Sequence, residues 1–239
     1  MIPAKKIKLI SSVFTIYHKR LLNKHFYRIH LAGEENMGKI DNSLPTVLYA
    51  NHSNWWDGFI AYLLTSRRWK ADDYIMMDIE QMKKYPFFKY LGAFSVNRND
   101  ARDAIKSIEY IVDLFRSTNK FLWIFPQGLM QPQDLRPIKF FSGAAKIAEK
   151  LCGANLIPVA IRYEFLFEQR PEVFIKIPEP DIVNNITNTK EFTGYLEKRL
   201  TDSLDELKKD VINQKVVEFK IIFNGKDSRN KTFDKFHGK

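Results

Sequence analysis

The 239-residue sequence predicts one α/β domain, a mostly parallel central sheet flanked by helices and preceded by an N-terminal amphipathic helix. Three observations predict it. Short runs rich in β-branched and aromatic residues recur along the chain, at 46–50, 73–77, 93–96, 120–126, 156–163, 172–177 and 216–223. Segments with helical spacing of apolar residues fall between them, at about 56–66, 101–117, 140–151 and 189–212. Strands that alternate with helices pair in parallel, because each crossover helix carries the chain back to the same starting edge. Finally, 45% apolar residues in a chain of this length suit a single core, and no repeat, low-complexity tract or linker divides it.

The elements follow in order. Residues 4–27 predict a helix, with Ile7, Ile10, Val13, Phe14, Tyr17 and Leu21 at helical spacing. Lys5, Lys6, Lys8, Lys19, Arg20, Lys24 and Arg28 make it basic, and no acid precedes Glu34. Such a helix either packs on its own domain or lies on anionic lipid with its lysines at headgroup level. The chain is accordingly divided into the helix, residues 1–30, and the α/β body, residues 31–239. A loop over 33–45 leads to the strand TVLYA at 46–50, and the remaining strands and helices alternate to the C-terminus.

Charge and cysteine content narrow the function. A net charge of +10 points to a polyanionic partner: nucleic acid, an anionic membrane or a phosphorylated substrate. No RNP-like strand and no paired Cys/His ligands occur, so nucleic acid is not expected. The single Cys152 excludes an internal disulfide and a cysteine zinc cluster, and fits a reducing compartment. No apolar run reaches the length of a membrane span, and the N-terminus has no signal-peptide pattern.

Chemistry concentrates where strands turn into helices, at the carboxyl edge that serves ligands in α/β sheets. In 51-NHSNWWD-57, His52 and Asp57 stand about one helical turn apart if 53–57 turn into a helix. A neutral imidazole accepts a proton near neutral pH, and a carboxylate on its other nitrogen fixes the tautomer and stabilises the imidazolium. The competing reading is a capping cluster of Asn51, Ser53 and Asp57 with an incidental histidine. No serine or cysteine is clearly paired with the dyad, which suits activation of a substrate hydroxyl. In 92-GAFSVNRND-100, Arg98 follows a strand and is either an oxyanion clamp or a surface arginine. In 123-WIFPQGLMQP-132, a strand runs into Pro126-Gln127-Gly128, a turn that exposes backbone N–H groups. Trp55 and Trp56 either fill the core or line an acyl or acceptor channel.

Together these blocks resemble the glycerolipid (lysophospholipid) acyltransferase family, which includes 1-acylglycerol-3-phosphate acyltransferases. Residues 51–57 match its N-H-x-x-x-x-D signature; 92–98 resemble its second block, ending in arginine; 125–128 (FPQG) its third, usually F-P-E-G; 157–159 (IPV) its fourth. Lys139, Gly143, Ala144 and Ala145 stand where the family has a basic, glycine-containing helix start. The resemblance covers about residues 45–163.

It implies transfer of a fatty acyl group from acyl-CoA or acyl carrier protein to a lysophospholipid or glycerolipid hydroxyl, with His52 as general base and Asp57 orienting it. It implies Arg98, Gln127 and Gly128 at the acceptor, and Asn51, Trp55, Trp56 and Lys139 along a substrate channel. Neither metal nor cofactor is required. The protein is expected at the cytoplasmic face of an anionic membrane, peripherally bound. Two departures bear on the acceptor: Gln127 replaces the usual glutamate, and Leu129-Met130-Gln131 replace a usual T-R-S. Both open a glycolipid or carotenoid-glycoside hydroxyl as an alternative acceptor, and a non-catalytic lipid-binding relative is the alternative from another class.

Overall fold

The computed structural model describes residues 1–227. Nine strands form one sheet in the order β4-β3-β5-β2-β6-β7-β1-β9, with β8 beside β6. The parallel portion holds β2 (Thr46–Ala50), β3 (Asp73–Asp78), β4 (Ala93–Val96), β5 (Phe121–Ile124) and β6 (Ala154–Glu164). β6 continues into an antiparallel pairing with β7 (Glu172–Lys176), which pairs in parallel with β1 (Arg28–Ala32). Two further antiparallel pairings add β8 (Asp181–Val183) to β6 and β9 (Lys220–Asn224) to β1.

Helices cover both faces. On one lie α4 (Ala101–Phe115), α5 (Gly143–Leu151) and α6 (Thr189–Ile212), burying Ile111, Ile147 and Leu200 against Val47, Leu122 and Leu156. On the other lie α1 (Lys8–His25) and α2 (Asp57–Tyr62), where Phe14, Leu22 and Ile60 pack on Leu48, Trp123 and Val159. A short helix, α3 (Ile79–Lys84), follows β3. The carboxyl ends of all five parallel strands therefore meet at one edge.

The expected mostly parallel sheet and flanking helices are present, with several local differences. The N-terminal helix begins at Lys8 because residues before it are extended along the body: Lys5 and Ile7 donate backbone N–H groups to the carbonyls of Lys89 and Tyr90. Its buried line is Phe14, His18 and Leu22, whereas Val13 and Tyr17 are exposed. The boundary expected at residue 30 falls inside β1, whose Ile29, His30 and Leu31 are buried between β7 and β9. The polar Arg28 and His30 masked that strand; His30 reaches Glu172 at 2.6 Å. The strand expected over 216–223 starts at Lys220, after a tight helical turn over Lys215–Glu218. The helix expected from 140 starts at Gly143, once Phe141 N–H has bonded to Pro126 O.

Candidate active site

Where β2 stops, the side chain of Asn51 takes over its ladder. Its Nδ2 donates to Ile161 O at 2.9 Å and its Oδ1 accepts Ile161 N–H at 2.8 Å. His52 comes next, in a turn that leads into α2. That turn would leave backbone donors unmet, and Asp57, the first residue of α2, turns back to satisfy them. Its Oδ2 accepts the N–H groups of Ser53 and Asn54, both at 2.9 Å, together with His52 Nδ1 at 2.8 Å. Asp57 has no exposed surface. The capping and dyad readings are thus the same structure: one buried carboxylate builds the turn and holds the imidazole.

The remainder of His52 is fixed as firmly. Its backbone N–H donates to Gln127 Oε1 at 2.7 Å, and its carbonyl accepts Gln131 N–H at 2.8 Å. The ring of Phe125 stacks on the imidazole, with centroids 4.8 Å apart. With Nδ1 held by Asp57, Nε2 is the ring nitrogen left for a ligand. Ser53 Oγ accepts from Asn51 Nδ2 at 3.4 Å and has no bond to His52. Cys152 is exposed at the far end of α5.

His52 opens onto a cavity of about 480 Å³, within the range of small-molecule sites. The cavity exists because the sheet parts. β3 pairs with β5 only from Asp73 to Ile75, then stays with β4 as far as Asp78. Beyond Ile75 both faces of β3 look into the opening, so its six residues are all half-buried. Tyr74 and Met76 point to one side, Ile75 and Met77 to the other, and Trp123 and Phe125 form the opposite wall. Phe14 of α1, Phe59 of α2 and Ile108 of α4 close the apolar chamber. The half-buried Asp73 also lines it; desolvation holds its carboxyl above the usual range although Thr65 and Ser66 donate to it at 2.6 and 2.8 Å.

The half-buried His52 and the buried Asp57 thus stand together at a strand end, over an apolar chamber. The family model described as Acyltransferase matches residues 28–162, from β1 into β6. The chain belongs to the Acyltransferase family. Among curated proteins it resembles the 1-acyl-sn-glycerol-3-phosphate acyltransferase of Saccharomyces cerevisiae, 23% identical over 193 residues. That match spans 75% of this chain and 60% of the yeast protein's length. Among solved structures it resembles the 1-acyl-sn-glycerophosphate acyltransferase PlsC of Thermotoga maritima, with a TM-score of 0.59 at 21% identity. The two share a fold over 83% of this chain and 80% of that one.

Within this acyltransferase fold the residues expected at the site separate into two groups. His52, Trp55, Arg98 and Gly128 line the cavity with Asp57 behind the histidine. Asn51, Trp56, Gln127 and Lys139 do not. Asn51 is spent on Ile161, and Trp56 packs edge-on against Phe26 at 5.0 Å. Lys139 is exposed and faces Glu197 at 3.3 Å, because the chain between β5 and α5 directs it to α6. Gln127 is buried; besides accepting from His52 N–H, it donates through Nε2 to Gln131 Oε1 at 2.6 Å. An amide can accept on one side and donate on the other, as this bridge requires, whereas a carboxylate cannot donate. Gln127 and Gln131, two departures from the family pattern, therefore complement each other.

Arg98 is committed as well. Its Nη2 and Nε donate to Asp78 Oδ2 at 3.0 and 3.3 Å, and its Nη1 donates to Gly128 O. Gly128 has φ of +71°, and a Cβ there would come within 2.8 Å of Arg98 Nη1 and 2.7 Å of the Phe141 ring. Only glycine suits that left-handed, crowded position. The start of α5, Ser142 and Gly143, faces the same end of the cavity with Lys146.

Sequence reasoning missed Tyr163, Asp78 and Lys146, and noted Phe125 and Gln131 only as parts of the third block, without their contacts to His52 and Gln127. Tyr163 donates its hydroxyl to Asp57 Oδ1 at 2.7 Å. Burial and the Asp57 charge hold its phenol well above its ordinary pKa, so it remains a donor. One signal could have found it: Tyr163 shares a strand face with Ile161, the partner of Asn51, two residues further toward the carboxyl edge.

Proposed function

We propose that the chain is an O-acyltransferase that moves a fatty acyl group from acyl-CoA or acyl carrier protein to a hydroxyl of a lysophospholipid or related glycerolipid. The observation that carries this reading is a carboxylate-held imidazole facing a large apolar cavity, with no protein nucleophile bonded to it among the described residues. His52 Nε2 takes the proton of the acceptor hydroxyl as its oxygen attacks the thioester carbonyl carbon. The new C–O bond forms while the carbonyl electrons move to oxygen. Collapse breaks the C–S bond, and the imidazolium returns its proton to the departing thiolate. Asp57 stabilises the imidazolium between these steps. The acyl chain occupies the opening between β3 and β5, and neither metal nor cofactor has a part. The intact dyad favours chemistry over a relative that only binds lipid.

The acceptor end supports two readings. Arg98, Gly128, the start of α5 and Lys146 suit the phosphate of a lysophospholipid. Yet the Arg98 charge is already balanced by Asp78, and Leu129 and Met130 beside Gly128 are exposed apolar residues. Those observations favour a less charged acceptor, such as a glycolipid or carotenoid-glycoside hydroxyl.

The protein works peripherally, on the cytoplasmic face of an anionic membrane. No helix of the described residues is long and apolar enough to cross one. The outer face of α1 presents Leu9, Val13, Ile16 and Tyr17 to solvent among Lys8, Lys19 and Arg20, an apolar stripe with basic flanks that suits the lipid interface.

The test is mass spectrometry of products after incubating the protein with either thioester and a panel of lysophosphatidic acid, lysophospholipids and neutral glycolipids. His52→Ala should lower turnover by roughly two to four orders of magnitude. No thioester consumption with any acceptor would refute the reading. Acylation of lysophosphatidic acid with a large Arg98→Ala effect on acceptor KM selects the phosphate; acylation of neutral glycolipids with a small effect selects the other.

A further inference from the structure

We infer that Tyr163 is a positioning residue of the site, setting through its hydrogen bond to Asp57 how strongly the carboxylate attracts a proton to His52. The inference rests on His52 being the base, and it assigns the duty of holding Asp57 to β6, an element outside the histidine motif.

Asp57 divides its two oxygens between two tasks. Oδ2 takes His52 Nδ1 and the backbone N–H groups of Ser53 and Asn54. Oδ1 takes the Tyr163 hydroxyl at 2.7 Å. A buried carboxylate without a donor on one oxygen concentrates its charge on the other and grips an imidazolium harder. A phenol O–H on Oδ1 draws part of that charge away. The phenol does not itself ionise here, since burial and Asp57 both oppose it.

Tyr163 is held in place from both sides. Its N–H donates to Gln133 Oε1 at 3.1 Å and its carbonyl accepts Gln133 Nε2 at 3.2 Å. Two residues earlier, Ile161 is clamped by Asn51, the residue before the base. β6 pairs with β2 only as far as Val159; beyond it the antiparallel ladder with β7 holds one edge, Tyr163 opposite Val173, and the side-chain bonds of Asn51 and Gln133 hold the edge that faces the motif. A slip of one residue would turn the Tyr163 ring to the opposite face of the sheet.

Other charged groups near the dyad are kept apart from it. The Arg98–Asp78 pair sits after β4 and at the end of β3, and Lys146 stands on α5. Arg162 pairs with Asp134 and Glu164, and His25 lies against Trp56 at the end of α1. None of them hydrogen-bonds to His52 or Asp57 among the described residues.

The experiment compares wild type, Tyr163→Phe and Gln133→Ala by the NMR titration of the His52 ring and by the pH profile of kcat/KM for thioester consumption. Removing the hydroxyl leaves the ring in place and returns the full Asp57 charge to His52. The imidazolium is then favoured, and the His52 titration should move up by about half a unit or more. The acid limb of the rate profile should move up with it, since the base must be neutral to act. At neutral pH, kcat/KM should fall in step with the fraction of His52 that becomes protonated, since only the neutral ring acts as a base. The KM of the thioester should stay constant, because Tyr163 does not line the cavity. Gln133→Ala, which frees the backbone of Tyr163 and removes a 3.4 Å bond to Glu164 but leaves the Tyr163 hydroxyl in place, should shift the titration in the same direction by less. That variant decides the matter if Tyr163→Phe does not fold. An unmoved His52 titration in a folded variant overturns the inference even if the wild type is active. A shifted titration in a protein that consumes no thioester would sustain the coupling and refute the proposed reaction instead.

Discussion

Replacing Asp57 with asparagine tests the reaction most directly, because the structure separates its catalytic cost from its folding cost. The carboxylate is fully buried and collects four donors, from His52, Ser53, Asn54 and Tyr163. An asparagine whose oxygen takes the Oδ2 position keeps three of them, and its amide nitrogen can donate to the Tyr163 oxygen. The folding cost is then modest, about 1–2 kcal/mol. The catalytic cost is larger. A neutral amide does not stabilise an imidazolium, and if it turns its nitrogen to His52 Nδ1 it selects the tautomer that carries the proton on Nε2, where the base must be vacant. Loss of charge and tautomer together is worth about 10⁴-fold in rate, or roughly 5 kcal/mol of barrier. The assay is thiol release from acyl-CoA at saturating acceptor, alongside a thermal melt. Asp57→Asn should melt within a few degrees of wild type and lose nearly all turnover. Turnover within tenfold of wild type in a native-like Asp57→Asn protein would mean that His52 does not act as a carboxylate-supported base. Asp57→Ala should show the opposite balance, with inactivity accompanied by a large loss of stability, because it strands the turn's N–H groups.

Three further outcomes are expected. Burial lowers the pKa of His18 from 6.5 to about 4, with Nε2 bonded to Phe59 O at 2.9 Å. Its neutral form stabilises the fold fully above 6.5 and is progressively penalised as pH falls towards 4, by roughly 2 kcal/mol at pH 5. Denaturant midpoints at pH 7 and 5 should therefore differ more in wild type than in His18→Gln, and equal differences would refute the assignment. Val13→Glu with Ile16→Glu, on the exposed face of α1, should reduce sedimentation with anionic vesicles while leaving the melting temperature within a few degrees; unchanged sedimentation would remove α1 from the membrane contact. Met76→Trp, at the parting of β3 and β5, should reduce turnover of long acyl chains more than short ones, and an equal effect on all lengths would place the acyl chain elsewhere.

The sequence by itself determined the alternation of strands and helices, and with it the parallel sheet and its carboxyl edge. It also determined the His52–Asp57 pair, because five positions across a strand-to-helix turn bring two side chains together with little help from the rest of the chain. Local chemistry hid some elements: Arg28 and His30 disguised a buried strand whose polar His30 is answered by Glu172, 142 positions away. The tertiary structure alone decided which of the neighbouring residues face a ligand. Asn51, Gln127 and Lys139 have the right chemical types, but their bonds to Ile161, His52 and Glu197 are formed across the sheet or between layers. Whether Arg98 is a free cation depended likewise on Asp78, which the separate strand β3 delivers. Tyr163 and the cavity are long-range in the same sense. One needs β6 to outrun β2, and the other needs β3 to leave β5, and strand pairing of that kind depends on how distant segments share backbone hydrogen bonds rather than on the pattern within either segment.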